Sequence, residues 1–128
     1  MAFIRPFSAL RPAEGHAEKV ISLPYDVMSR EEALKLAEGN PLSFLHICRS
    51  EIDLPHIEDP HSLEVYRQAR NKLEEFVSQG TLIREKQPNL YIYQQTMDGR
   101  IQTGIAGCVS IDEYMQGDIK KHEFTRME

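Results

Sequence analysis

A two-residue turn between two apolar segments places the strongest constraint on the fold of this chain. Asp98-Gly99 separates residues 89–96 from residues 101–111. Asp-Gly is a preferred pair in two-residue hairpin turns, because both turn positions need a positive φ angle. The sequence therefore predicts an antiparallel β-hairpin. Pairing across the turn sets Tyr93 opposite Gly104, where the aromatic ring can cover the missing side chain.

Two helices are predicted before the hairpin. The first begins at Ser29, which can form a reciprocal capping box with Glu32, and it ends at Gly39, a residue that suits the left-handed stop. The second has Asp59-Pro60 as its predicted cap and first position, keeps helical spacing from Leu63 to Val77, and is closed by Gly80. The apolar positions predicted to be buried are Ala33, Leu34, Leu36 and Ala37 in the first helix and Leu63, Tyr66, Ala69, Leu73, Phe76 and Val77 in the second.

Three further segments complete the fold prediction. Residues 4–10 are interpreted as an extended edge strand interrupted by Pro6, residues 43–48 as a short buried strand, and residues 50–59 as a surface loop. The order along the chain is then strand, helix, strand, helix and hairpin. This order predicts an α+β (mixed α/β) fold, in which an edge strand and the hairpin form a small sheet with two helices packed on it, within an incomplete domain.

The composition bounds the class of protein. With 128 residues the chain fits a single domain, and its net charge is -5. The basic pair Lys120-Lys121 is too small to supply the clustered Lys and Arg of a nucleic-acid or anionic-membrane binder. The sequence contains no apolar run long enough for a membrane span or a signal peptide. Cys48 and Cys108 lie far apart in apolar surroundings and are interpreted as buried free thiols, so a soluble, cytoplasmic protein is expected.

The C-terminal segment carries the strongest candidate chemistry. Lys120 and Lys121 can neutralise a phosphate group, His122 can move a proton near neutral pH, and Glu123 can act as a base or hold a divalent ion, with Thr125 beside them. In a straight strand, Lys121, Glu123 and Thr125 share one face, and Lys120 and His122 share the other. One straight strand therefore cannot make all of these groups converge. A solvated run of charges is the alternative interpretation, and it stays open.

A second set of candidates lies in the N-terminal half. Tyr25 and Asp26 follow a proline, and their side chains either line a ligand cleft or belong to a capped turn. Arg5 can bind phosphate bidentately, and Arg49 can contact a ligand if strand ends line the pocket, although ion-paired arginines are equally common. His46 is interpreted as a hydrogen-bonded core histidine. The cysteines and histidines lack the spacing of a zinc site, so no metal ligand set is predicted.

Four motifs together resemble one protein family. They are Ile4-Arg5-Pro6-Phe7 with Ala9-Leu10-Arg11-Pro12; Leu23-Pro24-Tyr25-Asp26-Val27 with Ser29; Asn40-Pro41 with Ser43-Phe44-Leu45-His46 and Glu51-Ile52-Asp53; and Ile119-Lys120-Lys121-His122-Glu123 with Thr125. In this order they are similar to the N-terminal part of a family of uncharacterised bacterial and archaeal proteins, domain of unknown function 1015, and the resemblance covers essentially the whole chain.

The resemblance implies a longer protein. Family members carry a downstream Asp-Gly-His-His-Arg stretch that is absent here. That stretch is similar to one in the ParB and sulfiredoxin-like superfamily, in which related motifs handle nucleotides and, in some members, phosphorylate free serine. A chain truncated at Glu128 is therefore expected, and kinship of fold alone does not confer activity.

Two functions from different classes remain open at this point. In the first, the chain is a fragment of a small-molecule phosphotransfer or nucleotide-binding enzyme: Lys120 and Lys121 hold phosphate, Glu123 is the base or a magnesium ligand, and His122 orients the substrate. In the second, the chain is a non-catalytic ligand-binding or protein-interaction module that pairs with a partner, including a second copy of itself when truncation exposes apolar surface. A third interpretation, in which the native chain ends at Glu128, leaves an α+β domain of unknown role.

Overall fold

The computed structural model describes residues 2–120, which fall into two compact units. Residues 10–83 make up a helical unit, and residues 2–9 with 84–120 make up a hairpin unit. The helical unit contains β1 (Leu10–Pro12), α1 (Ala17–Val20), a first 3₁₀ helix (Tyr25–Val27), α2 (Arg30–Ala37), α3 (Leu45–Cys48), a second 3₁₀ helix (Ser50–Asp53) and α4 (Leu63–Ser78). It also contains the first two residues of β2 (Leu82–Arg84), the strand that pairs with β1. The hairpin unit contains β3 (Tyr91–Met97), β4 (Arg100–Ala106) and α5 (Ile111–Gln116). The predicted α+β class is confirmed, since helices and small sheets are both present.

The core of the helical unit consists of two clusters of buried side chains. One cluster packs α2 and α3 against the second 3₁₀ helix through Ala33, Ala37, Leu45 and Ile52. The other joins α1, α4 and β2 through Val20, Phe76 and Leu82. Burial of each large apolar side chain contributes roughly 1.5–3 kcal/mol, so these clusters hold the short helices in place.

The start of α2 forms as the sequence predicts. Ser29 Oγ accepts a hydrogen bond from Glu32 N at 3.2 Å, and Ser29 N donates to Glu32 Oε2 at 2.7 Å. Both halves of the capping box are therefore present, and the predicted beginning of this helix is confirmed. The left-handed stop is confirmed as well, since Gly39 has a φ angle of 72°.

The buried stripe predicted for α2 is wrong in part. Ala33 and Ala37 are buried, whereas Leu34 and Leu36 are 54 % and 52 % exposed. Residues four apart lie on one side of a helix, and the two alanines form the side that packs in the core cluster. The leucines therefore lie outside the packed side of this helix.

The N-terminus of α4 differs from the prediction. The helix is capped at Ser62 and not at Asp59-Pro60. Asp59 Oδ1 instead accepts a hydrogen bond from His61 N at 2.9 Å, within the turn that precedes the helix. Of the apolar positions expected to be buried, Phe76 is buried and Leu73 is packed against the core, while Leu63, Tyr66 and Val77 are exposed.

The strand predicted over residues 43–48 is wrong, because this segment contains α3. Leu45 N donates to Ser43 Oγ at 3.3 Å, and Phe44 N donates to the Val20 carbonyl at 3.0 Å. A short apolar run has no period that separates a strand from a buried helix, so local side-chain and backbone partners decide the outcome.

The surface loop predicted over residues 50–59 is also wrong at its beginning. Ser50, Glu51 and Ile52 are buried in the second 3₁₀ helix. Ser50 Oγ donates to the carbonyl oxygen of His46 at 2.7 Å, which supplies a partner for a buried hydroxyl. Burial of this polar segment is tolerated because its polar groups are bonded.

The β3–β4 hairpin confirms the prediction from the turn. Asp98 and Gly99 have φ angles of 50° and 74°, and Tyr93 pairs with Gly104. The second strand is shorter than predicted, because β4 ends at Ala106 and α5 begins at Ile111. Ile92, Ile101 and Ile105 share one face of this hairpin and are 80 %, 65 % and 71 % exposed.

The N-terminal segment closes the open end of the hairpin. Arg5 and Cys108 exchange two backbone hydrogen bonds of 2.8 and 2.9 Å, and Phe7 and Asn89 exchange two of 3.0 Å. These two isolated bridges replace the continuous edge strand predicted over residues 4–10, since Pro6 lies between them and has no N–H to donate.

Both cysteines are free, as predicted, but they differ in burial. Cys48 is half-buried, whereas Cys108 is exposed, so the prediction of a buried thiol is wrong for Cys108. Among the helices between residues 2 and 120, none combines the length and the apolar character that crossing a membrane requires.

Candidate functional site

A cavity of about 600 Å³ opens in the helical unit at the C-terminal end of α2. Its volume lies within the range typical of small-molecule sites, roughly 300–1,000 Å³. The lining comes from α2, the turn that follows it and the first turn of α3. The lining residues are Leu34, Lys35, Ala37, Glu38, Gly39, Asn40, Pro41 and His46.

Asn40 fixes the turn that forms one wall of the cavity. Its Nδ2 atom donates to the Lys19 carbonyl at 2.7 Å, and its Oδ1 atom accepts from Leu42 N at 3.3 Å. Its backbone N–H donates to the Ala37 carbonyl at 3.0 Å. The turn is thereby tied to α1, to α2 and to its own continuation, so this wall of the cavity is formed before any ligand arrives.

His46 forms a second wall and is held at both ring nitrogens. Nδ1 lies 2.9 Å from Asp53 Oδ2, and Nε2 lies 3.1 Å from the Asn40 carbonyl oxygen. Both partners are hydrogen-bond acceptors, so each ring nitrogen faces an acceptor within the protein. Because the nitrogens are engaged within the protein, the ring carbons are what His46 can offer to the cavity. The hydrogen-bonded histidine predicted at this position is confirmed.

The charges at the cavity come from Lys35 and Glu38. Both residues are exposed, and neither side chain forms an ion pair within the part of the chain that the structure describes. Leu34, Ala37 and Pro41 provide the apolar part of the lining. The cavity thus combines an apolar surface with one basic and one acidic side chain at its rim.

The half-buried thiol of Cys48, in the helical unit, is poorly suited to nucleophilic chemistry. Burial raises the pKa of the Cys48 thiol, and a hydrogen bond to its own backbone and the charge of Arg49 oppose that shift only in part. Within residues 2–120, no three His, Cys, Asp or Glu side chains are grouped so that they could hold a metal ion.

Among the residues predicted from the sequence, Arg49 and the first 3₁₀ helix come together. Arg49 Nη1 donates to the carbonyl oxygens of Tyr25 at 3.0 Å and Met28 at 3.1 Å, and Arg49 Nε lies 2.6 Å from Glu51 Oε1. Arg49 therefore holds backbone carbonyls and a buried carboxylate. Tyr25 and Asp26 are exposed, and none of the predicted residues in this group lines the cavity.

The remaining predicted residues lie elsewhere. Arg5 is exposed in the hairpin unit, where its backbone pairs with Cys108. Lys120 is exposed at the end of the described chain. Lys121, His122, Glu123 and Thr125 lie outside the described residues, so the phosphate-binding hypothesis for this segment stays a prediction.

The sequence does not predict most of the residues that line the cavity. Leu34 was assigned to the core, and Lys35, Glu38 and Asn40 were not singled out as candidates. The usable signal is the Asn40-Pro41 turn, which directly follows the helix stop at Gly39 and lies two residues before the apolar segment that begins at Ser43. The partner of His46, Asp53, belongs to the Glu51-Ile52-Asp53 part of the family resemblance, but no local pattern in the sequence pairs it with His46.

Comparison with known proteins gives one family. No curated protein and no solved structure shows significant similarity to the chain. The model of the family described as "Protein of unknown function (DUF1015)" matches residues 4–128, which is nearly the whole chain. The predicted resemblance to the N-terminal part of that family is confirmed, and the chain belongs to the DUF1015 family.

Proposed function

We propose that the helical unit is a non-catalytic binding module for a small molecule with an apolar body, held in the cavity between α2 and His46. The observation that carries this proposal is the cavity itself: about 600 Å³, with an apolar surface and walls fixed by hydrogen bonds. Sites of this kind, mostly apolar with a few placed polar groups, are the usual form of small-molecule sites.

The fixed walls favour binding. Asn40 and His46 are each held by at least two hydrogen bonds, so little side-chain freedom is lost when a ligand enters. A ligand that buries roughly 200 Å² of apolar surface gains about 5 kcal/mol from that burial. Loss of translational and rotational freedom opposes this gain, so micromolar to millimolar affinity is expected for a simple probe.

A binding role is also what the described side chains can perform. His46 is engaged at both ring nitrogens, and the raised pKa of Cys48 keeps its thiol protonated at neutral pH. The phosphotransfer hypothesis rests on residues 120–125, of which Lys120 alone lies among the described residues.

The test uses a neutral fluorescent probe, N-phenyl-1-naphthylamine, titrated into the protein. Leu34→Asp places a carboxylate in the apolar lining and should weaken binding about tenfold or more. Leu36→Asp is the matched control, because Leu36 lies on the same helix with nearly the same exposure, 52 % against 54 %, and does not line the cavity.

The two leucine variants separate binding in the cavity from adsorption elsewhere. The proposal requires saturable binding in the wild type, unchanged affinity in Leu36→Asp and reduced affinity in Leu34→Asp. Equal loss in both variants, or a signal that never saturates, would show that the probe does not occupy this cavity.

A further inference from the structure

We infer that the natural ligand of the cavity is an anionic amphiphile, with its apolar body against Leu34, Ala37 and Pro41 and its negative group received by Lys35 and Lys19. This inference rests on the proposed binding function and adds the chemical class of the ligand. It comes from the charges around the Gly39–Asn40–Pro41 turn, which borders two neighbouring recesses.

The second recess brings another lysine to the same turn. It has a volume of about 300 Å³ and is lined by Lys19, Leu42 and the three turn residues that also line the larger cavity. The backbone of Lys19 is fixed to the turn, because Asn40 Nδ2 donates to its carbonyl oxygen at 2.7 Å. Lysines from α1 and α2 therefore border one continuous turn.

Both lysines are available to a ligand. Lys19 and Lys35 are exposed, and neither forms an ion pair with another described residue. By contrast, Lys72 is engaged with Glu75 at 2.9 Å on α4. Two unpaired ammonium groups at a partly apolar recess attract an anion more strongly than either does in open water.

Fewer acidic than basic side chains line the two recesses. Glu38 is the single acidic side chain among the lining residues of the two recesses. The end of α2 also carries partial negative charge, but the carbonyl oxygens of Lys35 and Ala37 already accept hydrogen bonds from Glu38 N and Asn40 N. With the His46–Asp53 pair set apart, the lining side chains therefore carry two positive charges, on Lys19 and Lys35, and one negative charge, on Glu38.

A pair of probes with one chemical difference tests the sign of the head group. 8-Anilinonaphthalene-1-sulfonate has the ring system of N-phenyl-1-naphthylamine and adds a sulfonate. At low ionic strength the sulfonate probe should bind the wild type about fivefold more tightly than the neutral probe, and the difference should shrink as salt is added.

Two lysine variants locate the effect. Lys35→Gln should remove most of the preference for the sulfonate probe over the neutral probe. Lys86→Gln is the matched control, since Lys86 is an exposed lysine of the hairpin unit that lines neither recess. Glu38→Gln should increase the preference for the sulfonate.

The outcomes distinguish this inference from the proposed function. If the neutral probe binds in the cavity but the sulfonate has no advantage, the inference is overturned and the binding function stands. If both lysine variants lose the preference equally, the effect belongs to the overall charge and the inference is also overturned. If neither probe binds saturably, the proposed function fails and the inference fails with it.

Discussion

Asp53 holds His46 by a contact of 2.9 Å between its carboxylate oxygen Oδ2 and the ring nitrogen Nδ1. The two side chains are 26 % and 13 % exposed, respectively, and the opposite nitrogen of His46 lies 3.1 Å from the Asn40 carbonyl. The ring therefore connects the second 3₁₀ helix to the turn after α2. One wall of the cavity depends on this connection.

Replacing Asp53 should destabilise the helical unit. Asp53→Ala leaves Nδ1 of His46 without its acceptor and should lower the free energy of unfolding by about 1–3 kcal/mol. Asp53→Asn should cost less, because an amide oxygen can still accept from the ring. Urea denaturation measures both values.

The exposed pair His56–Glu64 serves as the control for Asp53. Its side chains are 62 % and 54 % exposed at a similar distance of 3.0 Å. Glu64→Ala should therefore change the free energy of unfolding by about 0.5 kcal/mol or less. Equal losses in Asp53→Ala and Glu64→Ala would contradict a structural role for the His46 contact.

Arg30 should be among the most sensitive polar positions of the helical unit. Its guanidinium donates to the carbonyl oxygens of Ile57 at 2.7 Å, Glu51 at 2.7 Å and Leu54 at 2.8 Å. Arg30→Ala leaves these oxygens without this donor and should lower the free energy of unfolding by about 2–4 kcal/mol. Arg70, which is 78 % exposed and paired with Glu74, provides the control.

Arg70→Ala should stay within about 0.5 kcal/mol of the wild type. Chemical denaturation of the two variants under one buffer condition gives the comparison. An Arg30 variant as stable as the Arg70 variant would mean that the segment at residues 51–57 does not depend on the guanidinium.

Local chemistry explains which parts of this fold are predictable from the sequence. The capping box of Ser29 and Glu32 and the turn at Asp98-Gly99 act between residues no more than three apart, so each is visible in the sequence and each is found in the structure. The register that places Tyr93 against Gly104 follows directly from that turn.

Contacts between distant residues account for what the sequence could not predict. Arg49 donates to the carbonyl oxygen of Tyr25, which is 24 residues away along the chain. Arg30 donates to the carbonyl oxygen of Ile57, which is 27 residues away. These bonds bury a segment whose composition resembles a loop. The cavity arises in the same way, since its walls meet only after α2 and α3 have packed.

Gly107 should tolerate no side chain. A Cβ atom at this position would overlap the Ile4 side chain, lie 2.9 Å from Leu90 Cδ2 and lie 3.3 Å from the Arg5 carbonyl oxygen. Gly107→Ala should therefore displace the N-terminal segment from the hairpin and destabilise the hairpin unit by about 1–3 kcal/mol. Gly104 lies in β4 with open space around its Cβ position.

Gly104→Ala is accordingly the matched control for Gly107→Ala. It adds the same methyl group to the same hairpin and should leave stability unchanged or slightly improved. Hydrogen exchange at the Arg5 and Cys108 amides reports the local effect. Protection that survives in Gly107→Ala would show that the segment adapts to the added carbon.

Acid should weaken α2 through Glu32. The backbone N–H of Ser29 and then its hydroxyl lower the pKa of the Glu32 carboxyl from its ordinary value of 4.5. A carboxyl with a lowered pKa in the folded state stabilises the fold above the pKa of the unfolded chain, and this contribution disappears as the pH falls through the folded value.

Glu32→Gln removes the titrating group, so the variant should be less stable than the wild type at pH 7, and the difference should shrink below pH 4.5. Thermal unfolding of both proteins from pH 7 downward measures it. Glu31→Gln is the control, since Glu31 is the neighbouring acidic residue of the same first turn and its side chain makes no hydrogen bond with another described residue. If the difference in stability between the wild type and Glu32→Gln stayed constant with pH, the ionisation of Glu32 would make no contribution to the stability of the cap.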